Sequence, residues 1–362
     1  MGFQPDIAVV PGWKIREEIE SLGSSNGEFA ERLGISEKHL SQILNGKVSL
    51  TFDIAEKLEL VTNIKSSFWN KLEQAYQEDK ARLENEKRLE LDLKLLSKFT
   101  CYKNLVKLGL VEKTTDKMKK LKNLLKVFRL TSLSILCNSE SKLIENVAYR
   151  KSHNHTVSKE NLITWIKVGE RIVNGQELGD YSKSKLKNVV TELKKMTKDQ
   201  SKVDIKKITQ LLNSIGIYFV VLEHFEKVPV NGISRLYNKK PMIQMSLRQK
   251  WMDIFWFTLF HELGHIYNGD IKEEIIIIDS DTTQPSDIED LANEFAKNCL
   301  INPKNFDKCI ASKNEITEID LKELAEIEGI GINIVAGRIT HELKGKQSNI
   351  YSLTNKLRPR IN

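Results

Sequence analysis

The sequence predicts an α+β protein, mainly α, and three observations predict it. Up to about residue 200 it carries helix caps and apolar residues at three- and four-residue spacing, with few prolines. From about 203 three short runs rich in β-branched or aromatic residues appear, "IYFVVL" (217–222), "NGISRLY" (231–237) and "PMIQMSL" (241–247), bounded by Gly, Pro or Lys-Lys turns. Helical patterns then resume to about 345. The elements therefore segregate into an all-helical front half and a back half holding one small sheet.

At 362 residues the chain is long enough for two or three domains, each with its own core. The expected divisions are 1–77, a charged helical linker region at 78–202, a third domain at 203–345, and a polar tail at 346–362. No apolar run approaches the roughly 18–20 residues a membrane span needs, so no membrane role is expected. The start "MGFQPDIAVVPGW" has neither a basic n-region before a long apolar stretch nor a small-residue cleavage site. Cys101, Cys137, Cys299 and Cys309 are scattered without CxxC spacing, which indicates neither a disulfide framework nor a thiolate zinc knot. The expected location is the cytoplasm.

In the first block, "GEFAERLGISEKHLSQILNGK" (27–47) places Phe29, Ala30 and Leu33 on one face and Gly34 at a tight turn. Ser36 then caps a second helix with apolar residues Leu40, Ile43 and Leu44. Two short helices joined by a three-residue turn, with small Ala30 where they cross, describe a helix-turn-helix. In that geometry the second helix enters the major groove of double-stranded DNA. Glu37, Lys38, Ser41 and Gln42 would face base edges, Gln42 suiting adenine and Lys38 guanine, while Asn45 and Lys47 suit phosphate. His39 reads as a helix-surface residue. The bland alternative is a small bundle that only packs or dimerises.

In the linker region, residues 97–129 hold ten Lys or Arg against Glu112 and Asp116, a local +8 that accounts for the net charge of +7. Within it, "KMKKLKNLLKVFRL" alternates basic residues with leucines at helical spacing. It reads either as a solvated helix packed through its leucines or as a surface for nucleic acid. His153 and His155 in "KSHNHTV" have the look of a metal pair, but without an acidic or thiol partner they read as surface residues.

"FHELGHIYNGD" (260–270) carries chemistry. His261 and His265 lie one turn apart on one helical face and can reach a single cation. Glu262 projects about 100° around the helix, where it can reach an activated water without filling a coordination position. The apolar lead-in "DIFWFTLF" carries these groups into a core, where burial without a metal or partners is costly. A third ligand is expected from "IEDLANEFAKNCLINP" (288–303), in which Leu291, Phe295 and Leu300 can pack inward. Glu289 is the choice, with Asn293 one turn on orienting a ligand histidine. Asp287 and Asp290 are its rivals and read otherwise as helix N-terminal acids facing solvent.

Two resemblances extend this reading. "VVPGWKIREEIESLG", "FAERLGISEKHLSQILNGKVSLTFDIAEKLEL" and "SSFWNKLEQAYQ" resemble the Cro/C1-type helix-turn-helix of the HigA antitoxin family, over residues 10–77. "SSN" at 24–26 departs from the Ser-Gln-x usual there, so a frequent phosphate contact is missing. "MIQMSLRQKWMDIFWFTLFHELGHIYNGD", followed by Glu289, Ala292-Asn293, Phe295-Ala296 and "LINP", resembles the ImmA/IrrE metallopeptidases, from about 205 to 340. "RLTSLSILCN", "AYRKSHNHTVSKENLITWIKVGE" and "YSKSKLKNVVTELKKMT" resemble the helical linker found where these two families are fused, so that together the resemblances cover nearly the whole chain. These resemblances imply a five-helix DNA-binding domain acting as a homodimer, and a zincin-like domain with His261, His265 and Glu289 as ligands and Glu262 as general base. The implied metal is zinc, with manganese as the alternative.

Together they imply a transcriptional regulator that cleaves a protein substrate such as a repressor. The alternative is a non-catalytic antitoxin or repressor, with a cognate toxin as partner and a metal domain that is structural or sensory. "PMIQMSL" is the strand expected to add an extended peptide along its edge. Finally, "LAEIEGIGINIVAGRI" (324–339) echoes the helix-turn-helix spacing, but its second segment is mostly apolar and is expected to pack rather than read DNA.

Overall fold

The computed structural model describes residues 6–139, 158–271, 277–279, 287–311, 316–343 and 350–361, so His153 and His155 lie outside the described residues. The chain divides into two compact units, Met1–Lys94 and Leu95–Asn362.

The first unit is built on α1 (Gly12–Ser21), α2 (Asn26–Arg32), α3 (Glu37–Leu44), α4 (Phe52–Thr62) and most of α5 (Ser66–Leu96). The side chains of Ser25, Ser36 and Thr51 cap α2, α3 and α4, and Glu28 completes a capping box with Ser25. Gly34, at φ 65°, makes the turn between α2 and α3. Phe29, Ala30, Leu40, Ala55, Leu58 and Trp69 close the core. Beyond Trp69, α5 is polar almost all round and gains support from one-turn pairs such as Gln74–Glu78 and Arg82–Glu86. It runs unbroken through position 77, where the sequence suggests a division.

The second unit opens with α6 (Tyr102–Lys107), α7 (Lys117–Phe128), α8 (Leu133–Ser139), α9 (Lys159–Val173), α10 (Lys183–Met196) and α11 (Ile205–Ser214). Strands β1 (Tyr218–Leu222), β2 (Gly232–Tyr237) and β3 (Lys240–Ser246) follow, then α12 (Met252–Asn268), β4 (Ile277–Asp279) and α13 (Asp287–Leu300). It finishes with α14 (Pro303–Ile310), α15 (Glu318–Glu328), α16 (Ile332–Glu342) and α17 (Ile350–Lys356).

The sheet order is β1-β3-β2-β4, with β1 parallel to β3 and β2 antiparallel to both its neighbours. Asn238 and Lys239, both at positive φ, join β2 to β3 through a two-residue turn that pairs Tyr237 with Lys240. The expectation that "PMIQMSL" offers an edge to a peptide is overturned. That strand is β3, and its backbone groups are already spent on β1 and β2. A large apolar core joins the sheet, α12, α13, α15 and α16. In α16 the would-be reading segment is buried through Ile334, Val335, Ala336 and Ile339, so it packs.

Part of the tail also belongs to the fold. Met252 N–H donates to Pro359 O (3.1 Å) and Ile361 N–H to Lys250 O (2.8 Å), laying the C-terminal residues beside the start of α12. Trp251 supplies no side-chain cap for α12, so the Pro359 carbonyl satisfies one of its first N–H groups. Arg358 reaches Asp253 at 2.7 Å, and Arg358 and Arg360 both lie over the Trp251 ring.

Candidate metal centre and DNA-reading helix

Helix α12 is apolar nearly all round: Phe255, Trp256, Leu259, Phe260, Leu263 and Ile266 are buried with the functional residues. Its four-residue spacing places His261 and His265 on one face, with Nε2 atoms 3.0 Å apart. A Cβ at Gly264 would lie 3.1 Å from the backbone of Ala292, so this glycine lets α13 pass close by. That approach delivers Glu289, whose Oε2 is 3.2 Å from His261 Nε2 and 3.8 Å from His265 Nε2. One ligand atom from each of the three residues lies within 4.8 Å of the others.

The shell behind these groups sets their chemistry. Asn293 Oδ1 is 3.0 Å from His261 Nδ1, and Asp270 Oδ2 is 3.0 Å from His265 Nδ1. Acceptors at both Nδ1 atoms select the Nδ1–H tautomers, which leaves the Nε2 lone pairs facing each other. Two such nitrogens and a carboxylate need a proton or a cation between them. The titration tendencies agree. Burial pushes the Glu289 carboxyl up, but hydrogen bonds with His261 and His265 outweigh it and bring it down to about 2. Burial lowers His265, yet Glu289, Glu262 and Asp270 more than offset it and hold it above the usual imidazole value. This buried N, N, O donor set fits a divalent cation of the zinc type.

Glu262 is fully buried. Its carboxylate lies against the start of β2, where a Cβ on Gly232 would meet Glu262 Oε1 at 2.6 Å. Asp287 and Asp290 are exposed, as their alternative reading requires, and Cys299 packs against the core. Leu291 corrects the sequence reading: it is 53% exposed, because Ala292, Ala296 and Leu300 form the inward stripe of α13. Tyr237 donates to Asn174, and Tyr267 stacks on Phe295 beneath Lys183.

In the first unit, Glu37, Lys38, Ser41 and Lys47 are exposed on or just beyond α3 and Gln42 is partly so, opposite buried Leu40, Ile43 and Leu44. Asn45 is exposed too, but its amide is engaged: it donates to Ser41 O at 2.8 Å and accepts from Arg16 at 2.9 Å.

Residues 15–69 match the helix-turn-helix family, and residues 253–340 match the IrrE N-terminal-like domain of the M78 peptidases. An uncharacterized HTH-type transcriptional regulator of Escherichia coli strain K12, YddM, is 35% identical over 66 residues, 18% of this chain and 70% of that protein. The chain belongs to the helix-turn-helix family and carries an IrrE-like domain. The peptidase family of that domain implies a metal, and the His-His-Glu cluster lies inside the matched segment.

Two residues of the IrrE-like domain escaped the sequence reading. Asp270 follows Gly269, which ends α12 at φ 82°. This turn brings the Asp270 N–H back to His265 O (3.0 Å) and its carboxylate back to the His265 ring. The signal was the Gly-Asp directly after the helix. Gly232 left no local signal, since its need to be small comes from a helix distant in sequence.

Proposed function

We propose that this protein is a DNA-binding transcriptional regulator whose IrrE-like domain is a zinc-dependent endopeptidase acting on a regulatory protein such as a repressor. The observation that carries the reading is the buried meeting of His261, His265 and Glu289 beside Glu262. A zinc ion held by His261, His265 and Glu289 would supply Lewis acidity toward an amide carbonyl and would lower the pKa of an attacking water. Glu262 takes a proton from the attacking water and returns it to the leaving amine nitrogen. Asn293 and Asp270 keep the two imidazoles in the tautomer that presents Nε2.

A cavity of about 600 Å³, lined in part by Phe257, Thr258, Asn293, Arg338 and His341, is the space we assign to the substrate. Among the described residues β4 lies at an edge of the sheet, next to the strand that starts at Gly232, and it is the strand we assign to pair with an extended peptide. Exposed Glu37, Lys38 and Ser41 and partly exposed Gln42 support base reading by α3, and Lys47 supports phosphate contact. Asn45 serves chiefly to finish α3. We assign the chain to the cytoplasm, as a homodimer. No described helix is long and apolar enough to cross a membrane, and no disulfide joins the four cysteines.

Metal content by mass spectrometry tests the reading. About one zinc per chain is expected, lost in Glu289→Ala and retained in Glu262→Gln, which abolishes cleavage. Folded protein purified without chelator and free of metal would sink the peptidase reading and leave the repressor or antitoxin.

A further inference from the structure

The basic segment that the proposed function leaves unused forms a defined surface. In α7, Leu121, Leu124 and Leu125 are buried, while Lys119, Lys122 and Lys126 are exposed. These lysines fall within an arc of roughly 60° opposite the leucines, at about 100° per residue. Arg129, exposed at the left-handed C-cap, continues the line.

Some exposed lysines elsewhere pair one turn along, as Lys14 does with Glu17 and Glu18, Lys57 with Asp53 and Lys322 with Glu318, whereas Lys185 and Lys187 of α10, like those of α7, have no such pair among the described residues. Helix α7 contains no carboxylate, and among the described residues none lies within ion-pair distance of Lys119, Lys122 or Lys126. The nearby Asp116 is the N-cap, accepting from the Lys119 N–H; its carboxylate also feels the charges of Lys119 and Lys122 but is not within ion-pair distance of either. Like charges one turn apart weaken a helix, and Lys119 sits in the first turn, where the helix dipole disfavours a cation. Helix stability therefore does not account for the stripe.

We propose that this face of α7 is a second DNA-contacting surface, binding the phosphate backbone of double-stranded DNA without reading sequence. The proposal rests on the reading that the chain binds DNA through α3. From Lys119 to Lys126 the stripe is about 10 Å long, at about 1.5 Å per residue. A DNA strand carries one charge per ~3.4 Å of axis, so three lysines face about three phosphates. Carried on the same chain as α3, the surface adds affinity through effective concentration.

The test uses the full-length protein and a random-sequence duplex of about 30 base pairs, titrated across salt concentrations. The triple variant Lys119→Gln, Lys122→Gln, Lys126→Gln is expected to lower the slope of log K against log salt by about 2.7, with a loss on the order of 10²-fold at 0.1 M salt. Its melting temperature should be no lower than that of the wild type. A control triple, Lys185→Gln, Lys187→Gln, Lys195→Gln, removes the same charge from α10 and should change the slope by less than about one.

An unchanged slope in the α7 variant overturns the proposal. Equal losses in both triples also overturn it, since bulk charge would then account for the effect. So does unchanged DNA binding with lost binding to phosphatidylserine vesicles, which would make the partner a membrane surface. If the wild type itself binds no duplex, the DNA reading as a whole fails. If it binds, and Lys38→Ala with Gln42→Ala weakens it while the α7 triple does not, only the present proposal fails.

Discussion

A single methyl group added at Gly232 probes how tightly the candidate general base is held. In Gly232→Ala the new Cβ would lie 2.6 Å from Glu262 Oε1, 2.8 Å from Thr258 Cγ2 and 3.0 Å from Glu262 Cγ. Ordinary contact begins at 3.4 Å, so the carboxylate must retreat by about 0.8 Å (3.4 − 2.6). Neither partner gives way easily: β2 is paired on both sides and Glu262 is fully buried. Overpacking of this kind costs about 1–3 kcal/mol, offset by about 0.4–1 kcal/mol from the reduced freedom of the unfolded chain. A net loss of about 1–2 kcal/mol is expected in urea unfolding.

The three candidate ligands are untouched, so zinc content should hold, while on the proposed reading displacement of Glu262 by nearly 1 Å should lower peptidase turnover on the order of 10²-fold. Glu262→Ala removes two of the three clashing atoms. The double variant should therefore be more stable than the sum of the single changes by at least about 0.5 kcal/mol. Gly232→Ala as stable as the wild type, and additive with Glu262→Ala, would refute the packing argument.

Asp270→Ala removes the acceptor behind His265 and should weaken zinc binding by about 10- to 100-fold in a competition titration; unchanged affinity would mean that the ring is held by its helix alone. Arg358→Ala leaves Asp253, 6% exposed, without its cation and should cost about 3 kcal/mol, whereas adding Asp253→Asn should recover part of that loss. Glu328 is held below the usual carboxylate value: burial raises it, but hydrogen bonds from Lys194 and Asn305 outweigh that. A depressed folded pKa contributes stability above the unfolded value, so Glu328→Gln should be less stable than wild type at pH 7, with the gap closing as pH falls below about 4.5. A gap independent of pH would point to packing instead.

Residues close in sequence carried the local half of the structure. Caps at Ser25, Ser36 and Thr51, the turn at Gly34, and the leucines and isoleucines of α3 act within a few residues, so the helix-turn-helix is legible from spacing alone. The same holds for His261 and His265, because a four-residue interval on a helix means one face wherever the helix lies. Even Glu289 and Asn293 were readable as a pair on one face. Three of the four described strands followed from composition and turns, while the short β4 was not read from the sequence.

Distance along the chain limited the rest. Sheet order depends on pairings between segments separated by whole helices, so "PMIQMSL" read as an edge although β1 and β2 enclose it. The inward face of α13 was chosen by its close pass over Gly264, which selects the small Ala292 and leaves Leu291 to solvent. The polar C-terminus gained structure only by capping α12 and neutralising buried Asp253. By itself the sequence determined which groups share a helical face, because backbone periodicity is local. Only the tertiary structure decided what each face meets, where Gly232 had to be small, and which backbone edges were already spent, because those depend on contacts between segments far apart in the chain.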